Sequence, residues 1–70
     1  MNKDELKAQI VRKNKTANQL CAAIGISRTA WFRKLNGKSQ FTLKEVVDIR
    51  EELDLDDKQT NIIFFDKGVS

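Results

Sequence analysis

Residues 17–36 read ANQLCAAIGISRTAWFRKLN, two short segments of helical pattern joined by the turn Ile24-Gly25-Ile26. Two helices that pack across so short a turn need a small residue near the crossing, a turn glycine and apolar residues on the facing sides. Cys21 and Gly25 meet the first two needs. The apolar residues available for the facing sides are Leu20, Ile24, Ile26 and Trp31. The stretch therefore predicts a pair of packed helices on either side of a tight turn.

Capping residues and glycines mark the ends of the helices, since the chain contains no proline. Three segments fit the capping box, Thr16-x-x-Gln19, Thr42-x-x-Glu45 and Asp56-x-x-Gln59. In a capping box the first and last side chains satisfy each other's backbone N–H groups at the start of a helix. Ser27 is the predicted cap of a third helix that runs to Asn36. Gly25 and Gly37 stand where a left-handed residue ends a helix.

These signals predict five helices in one all-α domain that spans residues 1–70. The first helix covers roughly residues 3 to 13 and is capped by Asn2 or Asp4. The apolar residues expected to face the core are Leu6, Ile10 and Val11 in the first helix and Val46, Val47, Ile49 and Leu53 in the fourth. The fifth helix ends in Ile62-Ile63-Phe64-Phe65. Four consecutive apolar residues cannot all face inward from one helix, so Phe64 or Phe65 is a candidate dimer or partner surface.

Composition excludes several classes of function. The chain has one cysteine, Cys21, and no histidine, so it offers neither an intramolecular disulfide nor a Cys/His metal site. Without an imidazole to activate it, Cys21 is interpreted as a small buried residue rather than a nucleophile. No stretch has the length of a membrane span, and residues 1–5 lack the pattern of a secretion signal. We expect a cytoplasmic protein that is not an enzyme and uses no cofactor or metal.

Basic residues are concentrated in the N-terminal half of the chain. Between Glu5 and Glu45 there are nine lysines and arginines and no acidic residue, although the net charge of the chain is only +3. From Ser39 to Ser70, eight acidic residues outnumber four basic ones. Such an uneven distribution is typical of a protein that binds a polyanion, although basic residues that merely solvate helices would give the same composition.

The chain from Leu6 to about Leu55 resembles the helix-turn-helix domain of the Cro and repressor (XRE-like) family of bacterial and phage regulators. That family often ends its recognition helix in Asn-Gly-Lys, here Asn36-Gly37-Lys38. Residues 31–39, together with Phe41-Thr42 and a closing Ile-Phe-Phe, are similar to short prophage regulators of low-GC Gram-positive bacteria. The resemblance implies a lambda-repressor-like fold, a recognition helix from Ser27 to Asn36, and a homodimer that binds double-stranded DNA.

The outward face of the recognition helix follows from the step of about 100° per residue. Arg28, Thr29, Phe32 and Arg33 fall on one side, and Ala30, Trp31 and Leu35 fall on the other. Arginine suits guanine edges in the major groove, whereas threonine and phenylalanine suit thymine methyl groups. The predicted base contacts are Ser27, Arg28, Thr29, Phe32 and Arg33. Trp31 is predicted to lie in the core rather than to stack on a base, whereas Phe32 has the alternatives of packing on Phe41 or meeting another protein.

Groups that flank the recognition helix are predicted to contact phosphates, although ordinary loop polarity would also account for them. They are Thr16 and Asn18 before it, and Asn36, Lys38, Ser39 and Gln40 after it. Two positions depart from the family pattern. Ala17 stands where relatives commonly have a glutamine that clamps a phosphate, and Lys34 stands where an apolar residue is common. Lys34 either extends past the core toward solvent or marks a slight rotation of the helix.

The leading interpretation is a Cro-like or repressor-like operator-binding protein that regulates transcription as a dimer. The alternative is a modulator or antirepressor that keeps this fold but acts mainly by binding a partner repressor protein. Ala17 and an exposed Phe32 favour the alternative, whereas the basic half without acidic residues favours DNA. An enzyme is the least supported class, since no nucleophile with its base and no paired carboxylates are recognisable.

Overall fold

The computed structural model describes residues 1–65, which form five α-helices. They are α1 (Lys3–Arg12), α2 (Ala17–Ile24), α3 (Arg28–Leu35), α4 (Leu43–Leu53) and α5 (Asp57–Thr60), and α5 continues into a π-helical turn, Asn61–Phe65. This described part contains no β-strand, so the predicted all-α fold of five helices is confirmed. The last five residues of the predicted domain, with the charges of Asp66 and Lys67, lie outside the described residues.

All three predicted capping boxes are formed. At α2 the Thr16 hydroxyl accepts a hydrogen bond from the Gln19 backbone N–H at 3.2 Å, and the Gln19 side chain accepts one from the Thr16 N–H at 2.8 Å. The same reciprocal pair begins α4 at Thr42 and α5 at Asp56. Each box satisfies N–H groups that have no partner inside the helix, which fixes the residue where the helix begins.

The turn between α2 and α3 is short because a glycine ends one helix and a serine begins the next. Gly25 has φ of 77°, a left-handed conformation that costs glycine little. Its N–H and that of Ile26 both donate to the Cys21 carbonyl, at 2.9 and 3.1 Å. The Ser27 hydroxyl accepts from the Ala30 N–H at 3.1 Å. The α2 helix therefore stops and α3 starts within three residues.

One hydrophobic core joins α1 to α4 and the closing π-helical turn. Its buried members are Leu6, Ile10, Leu20, Cys21, Trp31, Leu35, Ile49, Leu53, Leu55 and Ile63. Trp31 is the largest of the fully buried side chains, which confirms its predicted place in the core. Cys21 is also buried, as expected. A hydrogen bond of 2.7 Å from the Asn2 N–H to the Ile63 carbonyl ties the start of the described chain to its end.

Two valines predicted to face the core are exposed instead. Val11 is 77% exposed, and Val47 on α4 also faces outward. The buried side of α1 is set by Leu6 and Ile10, and the helical step places Val11 about 140° from Leu6. Gln9 takes the inward position, fully buried, and its Nε2 donates to Glu5 at 3.0 Å while its Oε1 has no hydrogen-bond partner. The prediction was wrong because it assigned Val11 and Val47 to the core on apolar character alone, without regard to the width of the buried side of each helix.

The final apolar run divides between the core and the surface, as expected for four consecutive apolar residues. Ile63 is fully buried and Phe64 is half-buried against the core. Phe65 is 51% exposed, so of the two predicted candidates it is the outward one. None of the helices among residues 1–65 is long and apolar enough to cross a membrane.

Candidate nucleic-acid interface

The outward face of α3 carries the predicted base-contact residues. Arg28, Thr29, Phe32 and Arg33 are all exposed. On the opposite side, Trp31 and Leu35 are buried and Ala30 is half-buried. The division of α3 into two faces is therefore confirmed, whereas contact with DNA remains a prediction. Ser27, the fifth predicted base contact, is exposed but its hydroxyl already accepts the capping hydrogen bond, which leaves the hydroxyl proton as its donor to a base.

Arg28 is held by residues from two helices. Its Nη1 donates to the Asn18 Oδ1 of α2, and its guanidinium carbon lies 4.9 Å from the centre of the Phe32 ring. A guanidinium over an aromatic face is attracted by the negative potential of the ring. The hydrogen bond and the ring restrict the long Arg28 side chain to the outward face of α3, so less entropy is lost when it binds a ligand.

Asn18 was predicted to contact phosphate, and the structure gives it a second role. Its side-chain oxygen accepts from Arg28, so the amide nitrogen is the group left to donate to a phosphate. Asn18, a predicted phosphate contact, is thus hydrogen-bonded to Arg28, a predicted base contact. Sequence spacing did not reveal this pairing, because it depends on how α2 crosses α3.

Among residues 1–65, Phe32 is not a member of the aromatic ring pairs. It is 48% exposed and contacts Arg28. Phe41 instead packs edge-on against Trp31, with ring centres 5.6 Å apart, and against Phe64 at 5.8 Å. The alternative that Phe32 packs sideways on Phe41 is therefore wrong, because Trp31 occupies that position. Contact with a base and contact with another protein stay the two predictions for Phe32.

The loop between α3 and α4 is fixed by Lys34. The Lys34 ammonium lies 3.1 Å from the Glu45 carboxylate and donates to the Gln40 carbonyl at 3.0 Å. It also lies 5.8 Å from the centre of the Phe41 ring. Leu35 remains buried and Lys34 extends past the core, as the first of its two predicted alternatives proposed, but its ammonium ends at this polar site rather than in solvent, since the side chain is only 13% exposed.

Glu45 is a stronger acid than an ordinary glutamate. Desolvation by burial acts to raise its pKa, but hydrogen bonds from the Thr42 N–H and the Lys34 ammonium, together with the Lys34 charge, outweigh it and hold the pKa low. Glu45 therefore stays ionised at neutral pH, and its contact with Lys34 anchors the loop. The predicted phosphate contacts of the loop therefore start from a defined backbone: Asn36, Lys38 and Gln40 are exposed, and Ser39 is half-buried.

At the N-terminus of α2, Thr16 and Asn18 are both exposed. The Thr16 hydroxyl accepts from Gln19, and the Thr16 N–H donates to the Gln19 side chain. Any phosphate contact by Thr16 must therefore use its hydroxyl proton. Ala17 is half-buried and packs against the core, so its side chain contributes to packing and cannot donate to a phosphate.

Cys21, the one cysteine of the chain, is a buried free thiol. Burial raises the pKa of the Cys21 thiol, despite opposing effects of the nearby Arg28 charge and a backbone hydrogen bond, so the thiol is a poor nucleophile at neutral pH. Among residues 1–65 there is no group of three or more His, Cys, Asp or Glu side chains that could hold a metal ion.

No protein-family model matches the chain, and no similar curated protein or solved structure was found. The resemblance to Cro and repressor proteins rests on the sequence features quoted above.

Proposed function

We propose that this protein is a transcriptional regulator that binds double-stranded DNA in a sequence-specific manner, in the way of Cro and repressor proteins. In this proposal α2 and α3 act as a helix-turn-helix, and α3 enters the major groove. The observation that carries the proposal is the exposed side of α3, where Arg28, Thr29, Phe32 and Arg33 face solvent within a region of sequence that has no acidic residue. Acidic side chains on a major-groove helix would repel phosphate, so a helix without any favours binding, and Glu45, which lies near α3 in space, is paired with Lys34.

Each side chain of this face has a suitable partner in the groove. Arg28 and Arg33 would donate to the O6 and N7 atoms of guanine, and Thr29 and Phe32 would contact thymine methyl groups. Arg28 is the best prepared of them, since Asn18 and Phe32 already hold its guanidinium. We therefore expect a guanine beneath Arg28 to be the most strongly specified base of the operator half-site.

The flanking groups would set affinity rather than sequence choice. The Asn18 amide nitrogen precedes α3, and Lys38 with its loop neighbours follows it. Contacts from both sides would fix the register of α3 against the phosphate backbone. Each lysine–phosphate contact releases counterions, so affinity is expected to fall steeply as salt rises.

A homodimer would place two α3 helices in successive major grooves about one helical turn apart. Phe65, which is 51% exposed and follows the half-buried Phe64, is proposed to lie in the dimer seam. An exposed aromatic side chain gains by burial against a second copy. The operator is then expected to be an inverted repeat.

Selection of bound sequences from a random duplex library, followed by anisotropy titrations on the recovered site, tests the proposal. Arg28→Ala is expected to weaken binding by about 1–3 kcal/mol and to relax the preference at one base pair. Lys58→Ala is the matched control, because Lys58 is an exposed basic residue on α5 in the acidic half of the chain. Recovery of no preferred sequence, or equal losses in the two variants, would contradict DNA reading by α3.

A second candidate function, modulation of a partner repressor protein, is favoured by the exposure of Phe32 and by Ala17, which stands where relatives commonly have a phosphate-clamping glutamine. Mobility-shift titrations with and without a partner repressor separate the two functions. If the protein releases the repressor from its operator without binding that operator itself, the second candidate replaces the first.

A further inference from the structure

An apolar groove of about 370 Å³ lies between α1 and α3, next to the start of α2. Its apolar lining is formed by Ile10, Val11, Ala17, Trp31, Phe32 and Leu35. Ile10, Trp31 and Leu35 are buried members of the core, so the floor of the groove is rigid. A concave apolar surface of this volume falls within the range of ligand-binding clefts.

Two side chains of the groove keep exposed apolar surface, and one face of the Phe32 ring is covered by the Arg28 guanidinium. Val11 is 77% exposed and Phe32 is 48% exposed, although they belong to different helices. Adjacent exposed apolar residues above a rigid floor are characteristic of a binding surface rather than of scattered surface residues. Burial of Val11 and Phe32 by a partner would recover the hydrophobic free energy that folding leaves unused.

The charges at the groove restrict the identity of the partner. Its charged lining residues are Lys7 and Lys15, and no acidic side chain lines it. Lys15 lies 3.7 Å from Glu52, and both side chains remain about one-third exposed, so the ammonium is accessible to a further carboxylate. A DNA backbone would pair with the lysines but would place charged phosphates over an apolar floor. A helix with carboxylates beside an apolar stripe complements both parts of the groove.

We propose that this groove binds an amphipathic helix of another protein, with a large apolar side chain between Val11 and Phe32 and carboxylates against Lys7 and Lys15. Such helix-in-groove recognition uses apolar anchors spaced three and four residues apart. Phe32 and Thr16 line the groove and also belong to the proposed DNA interface. The helix and DNA therefore exclude each other, and the partner acts as a competitive inhibitor of DNA binding. The peptide site itself does not depend on whether the chain binds DNA.

Trp31, the only tryptophan of the chain, lines the groove and reports its occupancy directly. The probes are two synthetic helical peptides without tryptophan that share one leucine stripe, one with glutamates on its flanks and one with lysines there instead. The glutamate peptide is expected to change the Trp31 emission with saturation, and its affinity should fall as salt rises. The lysine peptide is expected to bind at least about tenfold more weakly, because rim charges select partners by sign.

Val11→Glu is the decisive variant, and Val47→Glu is its matched control. Both valines are exposed, so neither change is expected to unfold the domain, but Val47 lies on α4 away from the groove. Val11→Glu should lower affinity for the glutamate peptide by about tenfold or more, while Val47→Glu should leave it unchanged. Equal binding of the two peptides, binding of neither, or undiminished binding by Val11→Glu would overturn the proposal.

Two further outcomes would assign the groove to another occupant. If Val11→Ala weakens operator binding while leaving peptide affinity unchanged, the groove belongs to the nucleic-acid interface. If sedimentation shows self-association that Val11→Glu abolishes and Val47→Glu does not, the occupant is a second copy of the chain. Peptide binding is measured in the absence of DNA, so failure of the DNA proposal leaves this test intact.

Discussion

Replacement of Glu45 by glutamine tests how the loop after α3 is held. Glu45→Gln keeps the length of the side chain, and glutamine can serve in the capping box as glutamate does. The change removes only the negative charge that lies 3.1 Å from the Lys34 ammonium. Because the Lys34 and Glu45 side chains are only 13% and 15% exposed, water cannot solvate the Lys34 ammonium well once its partner is neutral.

The expected cost follows from that burial. A hydrogen bond to a charged group contributes about 1.5–3 kcal/mol, against about 0.5–1.5 kcal/mol for a neutral one, so the substitution should lower the free energy of unfolding by roughly 1–2 kcal/mol. For a domain of this size, each kilocalorie lowers the melting temperature by about 4–8 °C. Urea titration at neutral pH, followed by circular dichroism, measures the free energy, and a thermal scan measures the shift.

Asp48→Asn is the matched control on the same helix. Asp48 pairs with Lys44 at 2.9 Å, a distance as short as that of the Lys34–Glu45 pair, but Lys44 is exposed. Exposed ion pairs contribute little to stability, so Asp48→Asn should barely move the unfolding midpoint. Equal destabilisation by Glu45→Gln and Asp48→Asn would refute the argument that burial gives the Lys34–Glu45 pair its strength.

The same pair predicts a pH dependence. The folded protein holds the pKa of Glu45 below its usual value, so the unfolded state binds the proton more readily. Its stabilising contribution is complete above the unfolded pKa and is lost as the pH falls through the lowered folded pKa. The difference in stability between the wild type and Glu45→Gln should therefore shrink on acidification. A difference that stays constant down to strongly acidic pH would contradict the assignment.

Two further substitutions or reactions probe the core. Gln9→Met should change the free energy of unfolding by less than about 1 kcal/mol, because the gain from removing a buried Oε1 without a hydrogen-bond partner is offset by the loss of the Nε2 hydrogen bond to Glu5. A larger loss of stability in a urea titration would show that the Oε1 is satisfied in solution. Cys21 should react with a disulfide reagent at neutral pH far more slowly in the native protein than in urea, because burial both shields the thiol and raises its pKa. Similar reaction rates in the two states would contradict the packed contact between α2 and α3.

Local signals in the sequence predict most of the fold. Capping boxes depend on residues three positions apart, so Thr16 with Gln19 and Thr42 with Glu45 could be recognised without tertiary information. The left-handed conformation of Gly25 could likewise be predicted from the residue type, because glycine is the residue that adopts it at least cost. The two faces of α3 follow from the helical step once Trp31 is placed inward.

Features that depend on packing between helices were missed. Apolar character alone predicts Val11 in the core, but the buried side of α1 is narrower than its apolar residues suggest, and it includes the polar Gln9. The Asn18–Arg28 hydrogen bond joins residues on two helices, and only their crossing brings the side chains together. Lys34 carried a signal, as a charged residue at a position that is usually apolar, but its partner Glu45 could not be identified from spacing.

The edge-on packing of Phe41 against both Trp31 and Phe64 has a practical consequence for engineering. Trp31 lines the groove beside α3. At the other end, the ring centres of Phe64 and Phe65 are 6.4 Å apart. A single row of aromatic rings thus spans the domain from the groove to the proposed dimer seam. Surface residues at either end can be redesigned independently, but Phe41 is the shared support of both, so a library meant to change one binding surface should keep it fixed.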